Sequence, residues 1–319
     1  MKARELIRYT LSAAALAALT ACGGGGDGGP SASGPLAITA DNANNVARAG
    51  LQSAGLMGVI GDIGANLGVP TGQQATISQV RRAHAMAVSA LGAQRKASFS
   101  NSVSCTGGGS LTVSFNDSNA DDQLNRAGES VSLTANNCSD GAGGMTNGSF
   151  SLQLTGFTDA THLSFTLSFA NFRSSDTSTG TAASIDGSVS ASLEGLANVA
   201  VTSPSLSLSA TSGGVARSFG VQAVSMSYVD SGSVVTESLS GGFSSSDFPG
   251  QSVQLSTLAP LLIRWADNYP YQGMLQVTGA NNSSIKIEAL NATQAQIYID
   301  ANGDGGYETT KVVNWSDLD

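Results

Sequence analysis

Histidine is nearly absent from this sequence: His84 and His162 are the two in 319 residues. Neither stands in a zinc-ligand spacing, and no Gly-x-Ser-x-Gly elbow or phosphate-binding glycine loop lies near them, so the chemistries most readily read from sequence have no foothold. His84 falls on the apolar stripe of an expected helix and reads as core. Charge is scarce as well. Acids outnumber bases 23 to 14, a balance that does not seek nucleic acid. Glycoside hydrolysis needs only two carboxylates, but no spacing here supports it, which leaves an envelope hydrolase as the least favoured reading and a non-enzyme as the favoured one. The apolar run Leu11 to Leu19 is too short to span a bilayer. Cysteines number three: Cys22, Cys105 and Cys138.

What is present at the start of the chain is informative. Lys2, Arg4 and Arg8 precede the apolar run, which ends in Leu19-Thr20-Ala21-Cys22 followed by Gly23 to Gly26. Basic, apolar and small-residue regions in that order make a secretory leader. The Leu-Thr-Ala-Cys stretch resembles the lipobox of bacterial lipoproteins. That resemblance implies cleavage before Cys22 and fatty acylation of it, palmitate included, with attachment to a membrane through the lipid. Gly23 stands where an inner-membrane retention signal would place Asp, which implies the outer membrane. Loss of residues 1–21 removes Lys2, Arg4, Arg8 and Glu5 and takes the net charge from −9 to −11.

Four segments follow from composition and period. Residues 1–21 are the leader, and 22–39, rich in Gly and Ser with Pro30 and Pro35, form a tether that cannot bury a core. Residues 40–97 read as helical: Asp41 is an expected N-cap, Leu56, Val59, Ile60, Ile63 and Leu67 recur at helical spacing, and a second helix follows Pro70. From 98 to 319 the period is two. Phe150, Leu152 and Leu154, then Leu163, Phe165, Leu167 and Phe169, alternate with Ser, Thr and Gln, as half-buried antiparallel strands do. The spacing predicts a mainly β protein with two N-terminal helices. Its β domain is an antiparallel meander of roughly a dozen strands, closing into a barrel, half-barrel or sandwich.

With Cys22 acylated, Cys105 and Cys138 form an even pair in an oxidising compartment, which favours a disulfide over a metal or redox site. They flank a predicted hairpin built from Leu111, Val113 and Phe115 on one arm and Val131 and Leu133 on the other, so its open end brings them together.

Two acidic loops carry the only metal-like spacing. Asp300, Asn302 and Asp304 with Gly305 match the first half of a calcium loop and Glu308 follows, but Lys311 stands where the twelfth-position acid belongs. Asp117, Asn119 and Asp121 repeat the register within the hairpin, where Asp122 replaces the turn glycine and Glu129 comes one residue late. Asn, Asp and Gly also make turns without any ion. Calcium is the one cofactor this pattern suggests. Leu258 to Tyr271, containing Trp265, Tyr269 and Tyr271, is the densest aromatic stretch, read either as core packing or as a contact patch.

The order of helical head, Cys-x-Gly-Gly strand, acidic loop ending in Gly-Glu, Asn-Asn-Cys strand, Asn147-Gly148 strand, Tyr-x-Gly strand, Asp-x-Asn-x-Asp-Gly hairpin and terminal Trp resembles a group of uncharacterised proteobacterial outer-membrane lipoproteins. The resemblance implies location and architecture and no activity. The expectation is a non-enzymatic outer-membrane lipoprotein, a structural or partner-binding module. The alternative is a carrier holding an apolar ligand in a concave half-barrel.

Overall fold

The computed structural model describes residues 34–51 and 98–318, apart from 122, 160, 179, 196–197, 213–214 and 265. Fifteen strands form one sheet. After β1 (Gly34–Pro35), the strands β2 (Ser98–Ser104), β3 (Ser110–Asn116), β4 (Ser130–Ser139), β5 (Gly144–Asp159), β6 (His162–Asp176), β7 (Thr181–Glu194), β8 (Asn198–Ser212) and β9 (Val215–Asp230) each pair with the next. The meander continues through β10 (Val234–Ser245), β11 (Gln251–Arg264), β12 (Gln272–Thr278), β13 (Ser284–Asn291), β14 (Gln294–Asp300) and β15 (Thr309–Asn314). Every one of these pairings is antiparallel; β1 alone adds a short parallel contact to β11. β2 and β15 do not pair with each other, so the sheet is open and the closed barrel is set aside.

The period of two sorts the side chains onto two unlike faces. In one row across the sheet, Ser98 pairs with Asn116, then Ser130, Gln153, Thr166 and Ser190, and the row stays polar as far as Tyr298 and Thr310 on β14 and β15. The next row along belongs to the opposite face. There Val277, Ile285 and Ile299 are cross-strand neighbours, and all three are buried. Burial of each such side chain contributes about 1.5 to 3 kcal/mol, and it is this apolar face that holds the sheet in register, since a one-residue slip would turn the row to water.

One helix, α1, lies against the apolar face, running from 43 to 51, where the first described segment ends. Its start is a reciprocal cap: the Thr39 N–H donates to Asn42 Oδ1 (2.9 Å) and the Asn42 N–H to Thr39 Oγ1 (3.4 Å). The cap is therefore Thr39 and not Asp41, because only a residue three before Asn42 can exchange both bonds with it. A Cβ on Gly50 would lie 3.3 Å from Val277 and within 4 Å of Leu255 and Phe243. The helix thus approaches β10, β11 and β12 closely at a residue without a side chain. Leu56 to Leu67 and the expected second helix lie outside the described residues.

Several strands differ from the sequence expectation. Residues 181–185 and 187–193 are one strand, β7, bent at Gly187, whose φ of +118° and closeness to the Ser205 carbonyl (2.4 Å from a would-be Cβ) exclude other side chains. β11 runs on through Leu258 and Pro260 to Arg264, with register breaks either side of Ala259 that tolerate the missing proline N–H. Alternation does not single out β2, because its run Ser-Phe-Ser-Asn-Ser-Val-Ser places an Asn at the middle of its apolar face.

Candidate functional site

The Asp300–Glu308 turn between β14 and β15 brings its acids together. Asp300, Asp304 and Glu308 each place a carboxylate oxygen within 4.8 Å of the others, the one group of three acids so placed among the described residues. Asp300 is buried, and its two oxygens accept from the Gly303 N–H (2.7 Å) and the Gly305 N–H (2.9 Å). Asn302 accepts from the Asp304 N–H, Asp304 from the Gly306 N–H, and Glu308 from the Ala301 N–H. Each side chain therefore braces the turn, which the turn chemistry of Asp, Asn and Gly accounts for without an ion. Each carboxylate also keeps lone pairs to spare, and three negative charges this close form a set that a hard cation such as calcium would suit. Beside the turn, Tyr307 packs edge-on against Tyr298 (5.7 Å), and Lys286 lies over the Tyr307 ring (4.5 Å).

The hairpin loop behaves differently. Asp117 accepts from the Asn119 and Ala120 N–H groups, and Asp121 accepts from the Gln123 N–H and from the side-chain amides of Asn119 and Asn125. Asp117, Asn119 and Asp121 are thus tied into the loop, and among the described residues no third acid is gathered with them. The centre of this loop is Glu129. It is fully buried, and its carboxylate accepts from Ser118 twice, through N–H (3.1 Å) and hydroxyl (3.0 Å), and from the Asn125 and Arg126 N–H groups (2.9 Å each). The residue that stood one place late for a calcium ligand is an internal clamp, with donors where an ion would have to sit.

Cys105 and Cys138 are bonded, with Cα atoms 5.3 Å apart. Cys105 follows β2, and Cys138 sits just past the register break of β4, between Ala135 and the Thr146 pairing. The bridge lies at the rim of a second small core made of Leu111, Val113, Leu133, Ala135 and Phe172. No protein-family model matches the chain, nor does any curated protein or solved structure.

The aromatic stretch is divided. Tyr269 is half-buried and stacks on the buried Trp315 (6.0 Å), while Arg264 lies 3.7 Å over the Tyr271 ring. Both tyrosines therefore have partners within the fold, which favours packing over a contact patch. Trp265 and Cys22 lie outside the described residues. His162 is exposed at the start of β6, beside Asp159 at the end of β5 (3.0 Å). Hydrogen bonds from Thr161, by side chain and backbone, and then from His162 hold the Asp159 carboxyl down at about 2.

Two buried charged residues escaped the sequence reading. Glu237 occupies the apolar face of β10 between Val235 and Leu239, and its Oε1 is fully buried without a hydrogen-bond partner. Burial alone pushes its pKa up to about 7. Arg217, on the same face of β9 as Phe219 and Val221, lies 4.0 Å from Asp247. Strict alternation could have found both, since each stands in an apolar position of its strand.

Proposed function

We propose that the protein is a non-enzymatic, lipid-anchored module of the outer membrane that acts by contact, as a structural or partner-binding element. The observation that carries this reading is the two-faced sheet. The apolar face carries buried side chains such as Leu275, Val277, Ile285 and Ile299, and the void lined by Val221, Val224, Leu239, Phe243 and Leu255 holds about 10 Å³, room for about one water. The opposite face is lined with hydroxyls that hydrogen-bond one another across strands, as in Ser114 to Ser100 (2.9 Å) and Thr166 with Ser190 (3.0 Å). Hydrocarbon would leave much of that polar surface unsatisfied, so the sheet is suited to water or a polar partner, and attachment to the membrane falls to the acyl chains on Cys22. The alternative, a carrier of an apolar ligand, needs a hollow on the apolar side large enough to shelter that ligand.

Detergent partitioning with mass spectrometry tests the anchor: the wild type should enter the detergent phase carrying acyl mass, and Cys22→Ala should lose both. Solvent extraction of the purified protein tests the mode of action. A bound apolar molecule in stoichiometric amount would replace the contact reading with the carrier.

A further inference from the structure

The two edges of the open sheet are not alike. On β15, Lys311 pairs with the buried Ile297 and so stands on the apolar face, a charge that discourages another strand from adding there. β2 has no such guard. Its seven residues, Ser-Phe-Ser-Asn-Ser-Val-Ser, include no charge, proline or glycine, and its register with β3 runs unbroken from Ser98 to Ser104. Among the described residues no strand pairs with its outer edge.

The geometry points to a second copy of this chain as the partner of that edge, joined antiparallel, β2 to β2, about a two-fold axis through Asn101. The main chain selects the register. The Cys105 N–H donates to the Gly109 carbonyl (3.1 Å), and bonding pairs alternate along an antiparallel ladder. Phe99, Asn101 and Val103 therefore turn their main-chain groups to β3, and the serines at 98, 100, 102 and 104 turn theirs outward. A two-fold axis at Asn101 sets Ser100 opposite Ser102 and Ser98 opposite Ser104, so every outward N–H and C=O meets another.

The side chains agree, because the strand reads alike in both directions. On the polar face, serine meets serine and the cross-strand hydroxyl row of one copy continues into the next. On the other face Phe99, which stacks on Phe115 (5.7 Å), meets Val103 of the second copy, an aromatic–β-branched pair of the favourable kind. Asn101 is exposed and uncharged, and meets its own equivalent on the axis, where two carboxamides can exchange hydrogen bonds. Such an interface is isologous and closes at two copies.

The test uses the full chain in mild detergent. Sedimentation should show a dimer for the wild type. Asn101→Lys, which sets two ammonium groups against each other, should raise the dimer dissociation constant by about tenfold or more at low salt. Asn101→Cys should form an intermolecular disulfide on a non-reducing gel, and Val312→Cys on the opposite edge should not. A monomeric wild type, an Asn101→Lys variant that dimerises as well as the wild type, or an Asn101→Cys bridge no more abundant than that of Val312→Cys overturns the proposal. Circular dichroism of Asn101→Lys establishes that the variant is folded, and the cysteine pair decides the matter if it is not.

Discussion

Cys105 and Cys138, 5.3 Å apart at Cα, tie the turn after β2 to the irregular stretch of β4, so one bond fixes three consecutive strands at the edge of the sheet. The hydrogen bonds around it run the same way: the Gly107 N–H donates to the Ser139 carbonyl and the Ser139 N–H to the Gly108 carbonyl.

Closing a loop between cysteines 33 residues apart is worth about 3 to 4 kcal/mol in the chain-entropy account. Cys105→Ser and Cys138→Ser should each lower the unfolding free energy by a similar amount, and the double variant by no more than either. Two thiols labelled per chain in the wild type unfolded without reductant would show that the bridge does not form in solution.

Glu237 gives the protein a pH dependence of defined sign. Its folded pKa of about 7 lies above the ordinary 4.5, so between those values the folded state holds a proton that the unfolded state has released. Stability from this group is therefore greatest below about pH 4.5, declines as the pH rises and levels off above about pH 7, with a total loss of about 3 kcal/mol. Glu237→Gln should flatten that decline and be more stable than the wild type at alkaline pH. Equal slopes for the two proteins in chemical denaturation would refute the assignment.

Glu129→Ala should destabilise the hairpin loop strongly. The substitution leaves the Ser118, Asn125 and Arg126 N–H groups without their acceptor, at a cost of about 2 to 4 kcal/mol. Hydrogen exchange in residues 118–128 should quicken while β12 to β14 stay protected. Unchanged exchange in the loop would mean that Glu129 does not hold it.

Calcium should act at the second loop only. Millimolar calcium is expected to raise the melting temperature of the wild type and of Asp121→Ala, and to leave Asp304→Ala unmoved, because Asp304 belongs to the acid cluster and Asp121 does not. A wild type indifferent to calcium would leave the Asp300–Glu308 turn as turn chemistry alone.

Strand existence was legible along most of the chain because a half-buried strand must alternate, and Leu163 to Phe169 or Ser284 to Leu290 leave no other period. The disulfide was legible too, from two cysteines at one end of a hairpin. Both are local consequences of a chain that turns back on itself. Sequence was a poorer guide where the deciding partner is distant. Whether a meander closes depends on whether its first and last strands meet, and that β2 and β15 do not pair with each other is settled only in three dimensions. Gly187 joins what alternation divided, because a bend is permitted or forbidden by the Ser205 carbonyl on the next strand. Asp304 and Asp121 occupy the same register of similar loops, yet among the described residues only Asp304 has two other carboxylates beside it. The spacing that suggests a ligand is local, but the convergence that could hold an ion also depends on β14 and β15 carrying Asp300 and Glu308 to the same point, and tertiary structure alone decides that.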